Sequence, residues 1–193
     1  MQKILSFPPI FNGLSVCQLD ILLDCAIQLT RADFGNVQLF DPAIGGLKIV
    51  TQRGFGKRFL DFFECVKDER SACGAAMKNY QHVIVPDVTT SPIFVRPGKC
   101  DPLEVLLSAR VRAVYSMPLF NSLGSLIGML SAHYRKPTNP NPEQLEHLEL
   151  VARRLVRIAE TARRGQIRDA DIRTGPVQNV IPFVRRSTRV GSA

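Results

Sequence analysis

Ser71-Ala72-Cys73-Gly74-Ala75-Ala76-Met77, His82-Val83-Ile84-Val85-Pro86-Asp87-Val88, Ser91-Pro92-Ile93-Phe94 and Arg110-Val111-Arg112-Ala113-Val114-Tyr115-Ser116-Met117-Pro118-Leu119-Phe120 follow one another between positions 71 and 120. Their order predicts a short helix capped by Ser71, a short edge strand stopped by Pro86, a loop, and a strand entering a core. Between the loop and that strand, Asp101-Pro102-Leu103-Glu104 offers a capping side chain, a proline at the first helical position and a Glu at the reciprocal place. A second short helix to about Ala109 follows from it.

Downstream, Arg112 to Phe120 and Ser125 to Tyr134 are β-rich runs separated by Asn121, Ser122 and Gly124, which predicts a hairpin. Asn141-Pro142-Glu143-Gln144 is another cap. Leu148, Val151, Leu155, Ile158 and Ala162 then step by three or four along a long helix. Past Gly165 this period fades and Arg, Gly, Pro, Thr and Ser dominate, a composition that favours disorder.

Upstream, Ser15 and Gln18 form a capping-box pattern ahead of an apolar stripe from Val16 to Leu29. From Gly35 to Asp41 the chain alternates, Val37 and Leu39 on one side, Asn36, Gln38 and Phe40 on the other. Pro42, Gly45 and Gly46 then turn it into a second strand, Leu47 to Gln52. Lys57 to Val66 sets Phe59, Phe62, Phe63 and Val66 on one helical face. Strand pairs joined by short turns favour antiparallel pairing over parallel crossovers. The fold class expected is α+β, a central antiparallel sheet of about five to six strands with helices on its faces. Residues 1–14 are expected to be irregular, 15–164 to form the domain and 165–193 a basic, unstructured tail.

Composition narrows the function classes. The chain has 193 residues, 45 % of them apolar, enough for one core and a tail. No run approaches the roughly 18 apolar residues of a membrane span, and the first residues are too weakly apolar for a secretory signal; a cytoplasmic placement is expected. The five cysteines include no Cys-x-x-Cys pair, so free thiols serving as small apolar residues are expected. From Arg163 onward seven arginines face two aspartates, which accounts for five of the eight net positive charges. The body is therefore only mildly basic. With Phe183 the tail's one aromatic, composition argues against nucleic-acid binding. Val180-Ile181-Pro182-Phe183-Val184 beside Arg185-Arg186 reads as a docking peptide for a partner or as solvated chain.

Taken together, the order of elements resembles the GAF domain, most closely the sensor domains of bacterial two-component proteins. The residues that carry the likeness lie between about Leu19 and Ala162. They include Ala32-Asp33-Phe34-Gly35-Asn36-Val37-Gln38-Leu39-Phe40-Asp41, Ile49-Val50-Thr51-Gln52-Arg53-Gly54-Phe55, Phe59-Leu60-Asp61-Phe62-Phe63, Ala72-Cys73-Gly74 and Val85-Pro86-Asp87-Val88. Val114-Tyr115-Ser116-Met117-Pro118-Leu119 and Gly128-Met129-Leu130-Ser131-Ala132-His133 complete them. The resemblance implies a GAF/PAS-like sheet with a small-molecule pocket between one face and the middle helices. It also implies terminal helices that pair with those of a second chain, hence a homodimer, and a signalling partner such as a histidine kinase or response regulator. It names no ligand or cofactor, because one fold hosts many functions. The Asn-Lys-x-Phe-Asp-Glu set of cyclic-nucleotide binders is absent, and Cys100 is followed by Asp101 where bilin-binding members have His.

The pocket so implied takes Phe59, Phe63 and Phe94 as aromatic walls and Cys73 and Met77 from the short helix. Asp87, Tyr115 and Ser116 are its expected polar groups. His133, near the end of a core strand, either faces the pocket or hydrogen-bonds to backbone. A second reading comes from the family's free methionine-(R)-sulfoxide reductases, whose three cysteines occur in the order of Cys65, Cys73 and Cys100. There a thiolate attacks the sulfoxide sulfur and a disulfide resolves the intermediate. Cys73 near a helix N-terminus, and Cys100 beside Arg96 and Lys99, are the thiols such chemistry would use. The glycine-rich Gly-Pro-Phe-Gln-Gly stretch and carboxylates of those enzymes are missing. His82, opening an edge strand, and His147, expected on a helix surface, have no partner at metal-ligand spacing, and no metal site, P-loop or nucleophile elbow is expected.

Overall fold

Alternation along one strand sets the layers of this molecule. The computed structural model describes residues 16–94 and 101–174, with side chains placed as far as Ala162. Expectations for Ser15, Arg96, Lys99, Cys100, residues 1–14 and residues 175–193 lie outside the described residues. The order is α1 (Val16–Thr30), β1 (Phe34–Asp41), β2 (Gly46–Arg53), α2 (Lys57–Phe62), β3 (Cys65–Val66), α3 (Ala72–Asn79), β4 (Val83–Val85), α4 (Pro102–Ser108), β5 (Ala113–Phe120), β6 (Leu126–Tyr134) and α5 (Pro142–Thr174). The six strands form one sheet in the order β3-β2-β1-β6-β5-β4, every pair antiparallel. An α+β fold with helices on the faces of an antiparallel sheet is what the turns predicted.

Successive residues of a strand face opposite sides. On one side of the sheet Val37 and Leu39 of β1, Tyr115 and Leu119 of β5 and Leu130 and Ala132 of β6 share a core with α1 and α5. On the other side Phe34, Val114 and Met129 share a second core with Phe55, Phe59, Phe63, Ala76, Phe94 and Leu106. The sheet thus has an outer pair of long helices on one face and three short helices on the other.

The helix starts follow their caps. Ser71 Oγ accepts from the Gly74 amide at 3.1 Å, and Asp101 caps α4 by accepting from Leu103, with Pro102 at the first turn. Asn141 and Gln144 cap α5 reciprocally: the Gln144 amide donates to Asn141 Oδ1 at 2.8 Å and the Asn141 amide to Gln144 Oε1 at 3.0 Å. The Gln144 side chain then donates to the Thr30 carbonyl at 2.7 Å, and the Tyr134 hydroxyl donates to the same oxygen at 3.2 Å. The end of α1, the end of β6 and the start of α5 therefore meet at one backbone atom.

Three local expectations change. The helix drawn from Lys57 to Val66 stops at Phe62, because Cys65 and Val66 pair with Lys48 and Leu47 as β3; tertiary pairing overrides the Phe spacing. α5 runs through Gly165 to Thr174. Once nucleated, a helix propagates at little cost through residues such as Gln166, Arg168 and Ala170. His147, expected on the helix surface, is half-buried and its Nδ1 is shielded without a partner among the described residues.

The Ser71 cap requires close approach at Gly74, where a Cβ would lie 1.7 Å from the Asp68 carbonyl oxygen. Ser71→Ala should cost roughly 1 kcal/mol, the usual value of a lost cap. Gly74→Ala should cost more, because backbone rather than a flexible side chain stands in the way. Urea denaturation of both variants checks the order; equal midpoints would show that the 68–71 loop gives way.

Candidate functional site

Strand register builds a polar row in the middle of the second core. Asn36 of β1 lies opposite Ser131 of β6, and Ser131 lies opposite Ser116 of β5. The two serine hydroxyls are 2.9 Å apart and hydrogen-bonded. Two residues along β1 on the same face comes Gln38, and two along β6 comes His133, which pairs across with Phe34 and Val114. All five polar side chains are buried; Asn36 is 4 % exposed, Gln38 1 % and His133 4 %.

Opposite this row stands an apolar wall. Phe59 and Phe63 come from α2 and its end, Ala72 and Cys73 from α3, Leu106 from α4, and Phe94 from the loop between β4 and α4. Phe34, Phe55 and Phe59 stack in series at centroid separations of 5.2 and 3.7 Å, and the rings of Phe55 and Phe59 meet His133 edge-on. Between row and wall lies a cavity of about 20 Å³. A larger depression, about 760 Å³, runs between α5 and the end of β5, but it is open and carries solvated charges such as Arg153 and Arg157. The small cavity holds the chemistry, because it joins burial to polar groups.

Asn36 Oδ1, Gln38 Oε1 and His133 Nδ1 are shielded from solvent and have no hydrogen-bond partner among the described residues. All three residues line the cavity. Nearly all buried polar groups in native proteins are satisfied. Each exception costs about 1–3 kcal/mol. Three in one cavity mark a place where a bound water or a ligand would supply the missing partners.

Burial sets the protonation states. His133 falls to about 3, with desolvation the cause, so its imidazole is neutral. Burial likewise raises the Cys73 thiol, which hydrogen bonds from Ser71, the Gly74 and Cys73 amides and the Gln38 side chain offset only in part. Cys73 is half-buried as a residue; its sulfur lies 3.2 Å from Ser71 Oγ. The expected acidity from the helix N-terminus is outweighed by desolvation.

Of the nine pocket residues expected from sequence, Phe59, Phe63, Cys73, Phe94, Ser116 and His133 line this cavity. The other three lie elsewhere. Tyr115 points to the opposite face, where its hydroxyl donates to the Thr138 carbonyl at 2.7 Å. Its neighbour Ser116 takes the cavity side, as strand alternation demands. Asp87 is tied to Arg112 at 2.8 Å and accepts from Thr89; these donors, Arg112 foremost, hold its carboxyl down at about 2. Met77 packs against the second core without reaching the cavity. Cys65 lines an adjoining outer groove with Asp61 and Lys67, which Cys73 does not line. Asn36, Gln38 and Ser131 were missed, although the alternation that aims Asn36 and Gln38 together was legible. Among the described residues no group of three His, Cys, Asp or Glu side chains is placed to hold a metal.

In ligand-free protein, Gln38→Met should raise stability by about 1–3 kcal/mol, because it removes an unsatisfied acceptor at nearly constant volume; a lower thermal midpoint would mean that Gln38 is satisfied. His133 has its folded pKa depressed, so the unfolded chain binds more protons between pH 3 and 6.5. Stability should therefore fall as pH drops below 6.5, by up to about 1.4 kcal/mol per unit. His133→Leu should flatten that part of the curve, measured by thermal melts from pH 7.5 to 4.

The model of the GAF domain matches residues 18–158. No match is found among curated proteins. Among solved structures, a domain of a sensor histidine kinase protein from Sinorhizobium meliloti superposes with a TM-score of 0.65 at 19 % identity, covering 82 % of this chain and 99 % of that one. The GAF domain of a two-component sensor histidine kinase from Bacillus halodurans gives 0.62 at 17 %, with coverages of 76 and 95 %. Free methionine-R-sulfoxide reductase from Neisseria meningitidis, solved with its substrate, gives 0.60 at 21 %, with coverages of 79 and 83 %. At these identities the likeness is one of fold. With the family model spanning most of the chain and the six-stranded sheet beneath it, the chain belongs to the GAF domain family.

Proposed function

We propose that this chain is a sensory or regulatory module that binds a small molecule in the cavity between β1, β5, β6 and α2–α4. The observation that carries this reading is the set of three unpartnered polar atoms, on Asn36, Gln38 and His133, aimed into one cavity. A ligand that supplies their partners recovers the cost of burying them. Phe59, Phe63, Phe94, Cys73 and Ser116 complete its surroundings.

Output passes through the sheet to α1 and α5. Asn36 and Gln38 touch the ligand side, while Val37 and Leu39, the intervening residues of β1, touch the core shared with α1 and α5. The outward side of α1 carries Cys17, Ile21, Cys25 and Leu29, and α5 carries Leu150; Ile21 is 56 % exposed and Leu150 62 %. This is the surface through which a second copy pairs, and the resulting homodimer acts on a signalling protein. The likeness in fold to domains of sensor histidine kinases supports a histidine kinase or response regulator as the class of partner. No helix among the described residues is long and apolar enough to cross a membrane; with free thiols, that supports a cytoplasmic site of action.

The reductase relatives by fold and the place of Cys73 on the cavity wall favour a second reading, a thiol-dependent free methionine-(R)-sulfoxide reductase, or a redox sensor using the same sulfur. The raised Cys73 pKa and the absence of any Asp or Glu among the described lining residues weigh against it.

Native mass spectrometry of freshly purified full-length protein tests the first reading in one spectrum. The expected result is a dimer mass plus a small retained mass that Gln38→Met loses. A monomer would remove the dimer, and no retained mass in any preparation would remove the ligand. Pairing through α1 should protect Cys17 and Cys25 from iodoacetamide in the dimer and expose them on dilution to monomer, whereas burial should slow Cys73 in both. Thioredoxin-coupled turnover of free methionine-R-sulfoxide, abolished in Cys73→Ser, would overturn the ordering of the two readings.

A further inference from the structure

We propose that the cavity selects a small, flat, uncharged molecule with a hydrogen-bonding head on an apolar body, of which an aromatic carboxamide is the simplest example. The proposal rests on reading the cavity as a ligand site and deepens it by naming the ligand's class.

Charge comes first. Among the described residues no Lys, Arg, Asp or Glu lines the cavity. Charged groups around it are paired with one another: Arg70 with Asp68 in the adjoining groove, Arg58 with Glu104 on the surface, and Arg135 over the ring of Phe34 with Asp33 as its ion-pair partner. A ligand carboxylate, phosphate or ammonium would be taken out of water with no counter-charge, which the protein interior does not tolerate. The titratable residues among the lining, His133 and Cys73, are both held neutral by burial, so neither supplies that charge.

The head follows from the polar row. Asn36 Oδ1 and Gln38 Oε1 call for donors, and neutral His133 Nδ1 takes whichever role its tautomer leaves open. A side-chain carboxamide turned over exchanges its oxygen for its nitrogen. A ligand head with both a donor and an acceptor, such as another carboxamide, satisfies Asn36 and Gln38 in either setting. Ser116 and Ser131 already satisfy each other and leave the head to the other three.

The body follows from the wall. Phe59, Phe63, Phe94 and Leu106 present only carbon, and the stacked series Phe34–Phe55–Phe59 ends at the cavity. A flat body continues such a stack at favourable separation. A volume of about 20 Å³ admits roughly one water. A ring therefore enters by taking the place of a phenylalanine side chain, which limits the ligand to about that size.

Benzamide, benzoate and benzamidine share one shape and carry charges of zero, minus one and plus one. Each is titrated at equal concentration into the full chain, and into Phe63→Ala, in which ring-sized space is opened. Amide proton–nitrogen NMR is the readout. The expected result is that benzamide moves the side-chain amides of Asn36 and Gln38 and the backbone of Ser131 and His133. Benzoate and benzamidine should bind there at least about tenfold more weakly, and Gln38→Met should lose the benzamide response. Benzoate or benzamidine moving the same signals as strongly would overturn the selection for an uncharged ligand and leave the ligand site standing. No movement with any probe in either protein would overturn the proposed class, whereas the ligand site itself falls only if native spectra show no retained mass. Where Phe63→Ala does not fold, the wild-type titration decides alone.

Discussion

Period two is the constraint on which this molecule depends. A strand buried on both faces must send alternate side chains in opposite directions. β1 lies between β2 and β6 near the centre of the sheet and does so with Asn36 and Gln38 on one side and Val37 and Leu39 on the other. A register slip of one residue would drive Asn36 and Gln38 into the α1–α5 core and Val37 and Leu39 into the cavity. Position of the polar row, identity of the helices facing it and contact of the opposite face with the terminal helices all follow from that one alternation.

The polar row is expensive. A domain of this kind is stable by only about 5–15 kcal/mol, and three buried polar atoms left without water or ligand would consume an appreciable part of that. Hydrophobic residues at the same positions would satisfy the packing of the second core and remove the cost. Sites that oppose the stability of their own fold are where function is commonly found. Neighbouring Ser116 and Ser131 show the alternative: paired across the β5–β6 ladder, they are buried and satisfied, and they ask nothing of a ligand.

Much of the architecture was legible because it rests on local signals. The Ser71, Asp101 and Asn141 caps, both hairpins and the β1 alternation are all properties of short windows, and each has its structural counterpart. What escaped needed partners distant in sequence. Cys65 and Val66 become β3 only because Leu47 and Lys48 offer an edge. Tyr115 and Ser116 are adjacent in sequence, and which of them turns inward is decided by register with β6, so choosing both was bound to misplace one. Asp87 looked available until Arg112, twenty-five positions away, was found beside it. Asn36 and Gln38 were seen to share a side; that Ser131 and His133 lie across from that side is a matter of register between β1 and β6.

The Thr30 carbonyl, which takes hydrogen bonds from Tyr134 and Gln144 together, gives the terminal helices a pivot. α1 and α5 lie antiparallel on the sheet, with Gln18 near Thr161 at the far end. Further along, Asp20 and Asp24 bond Thr51 and Arg53 of β2, and Glu160 accepts from the Ser122 amide between β5 and β6. A small tilt of a rigid rod about one joint becomes a travel that grows with distance. Fifteen residues of α1 reach about 22 Å from that joint. A tilt about the Thr30 joint would therefore grow along α1 toward Val16, and the bonds of Asp20 and Asp24 to Arg53 are what tie its extent to β2.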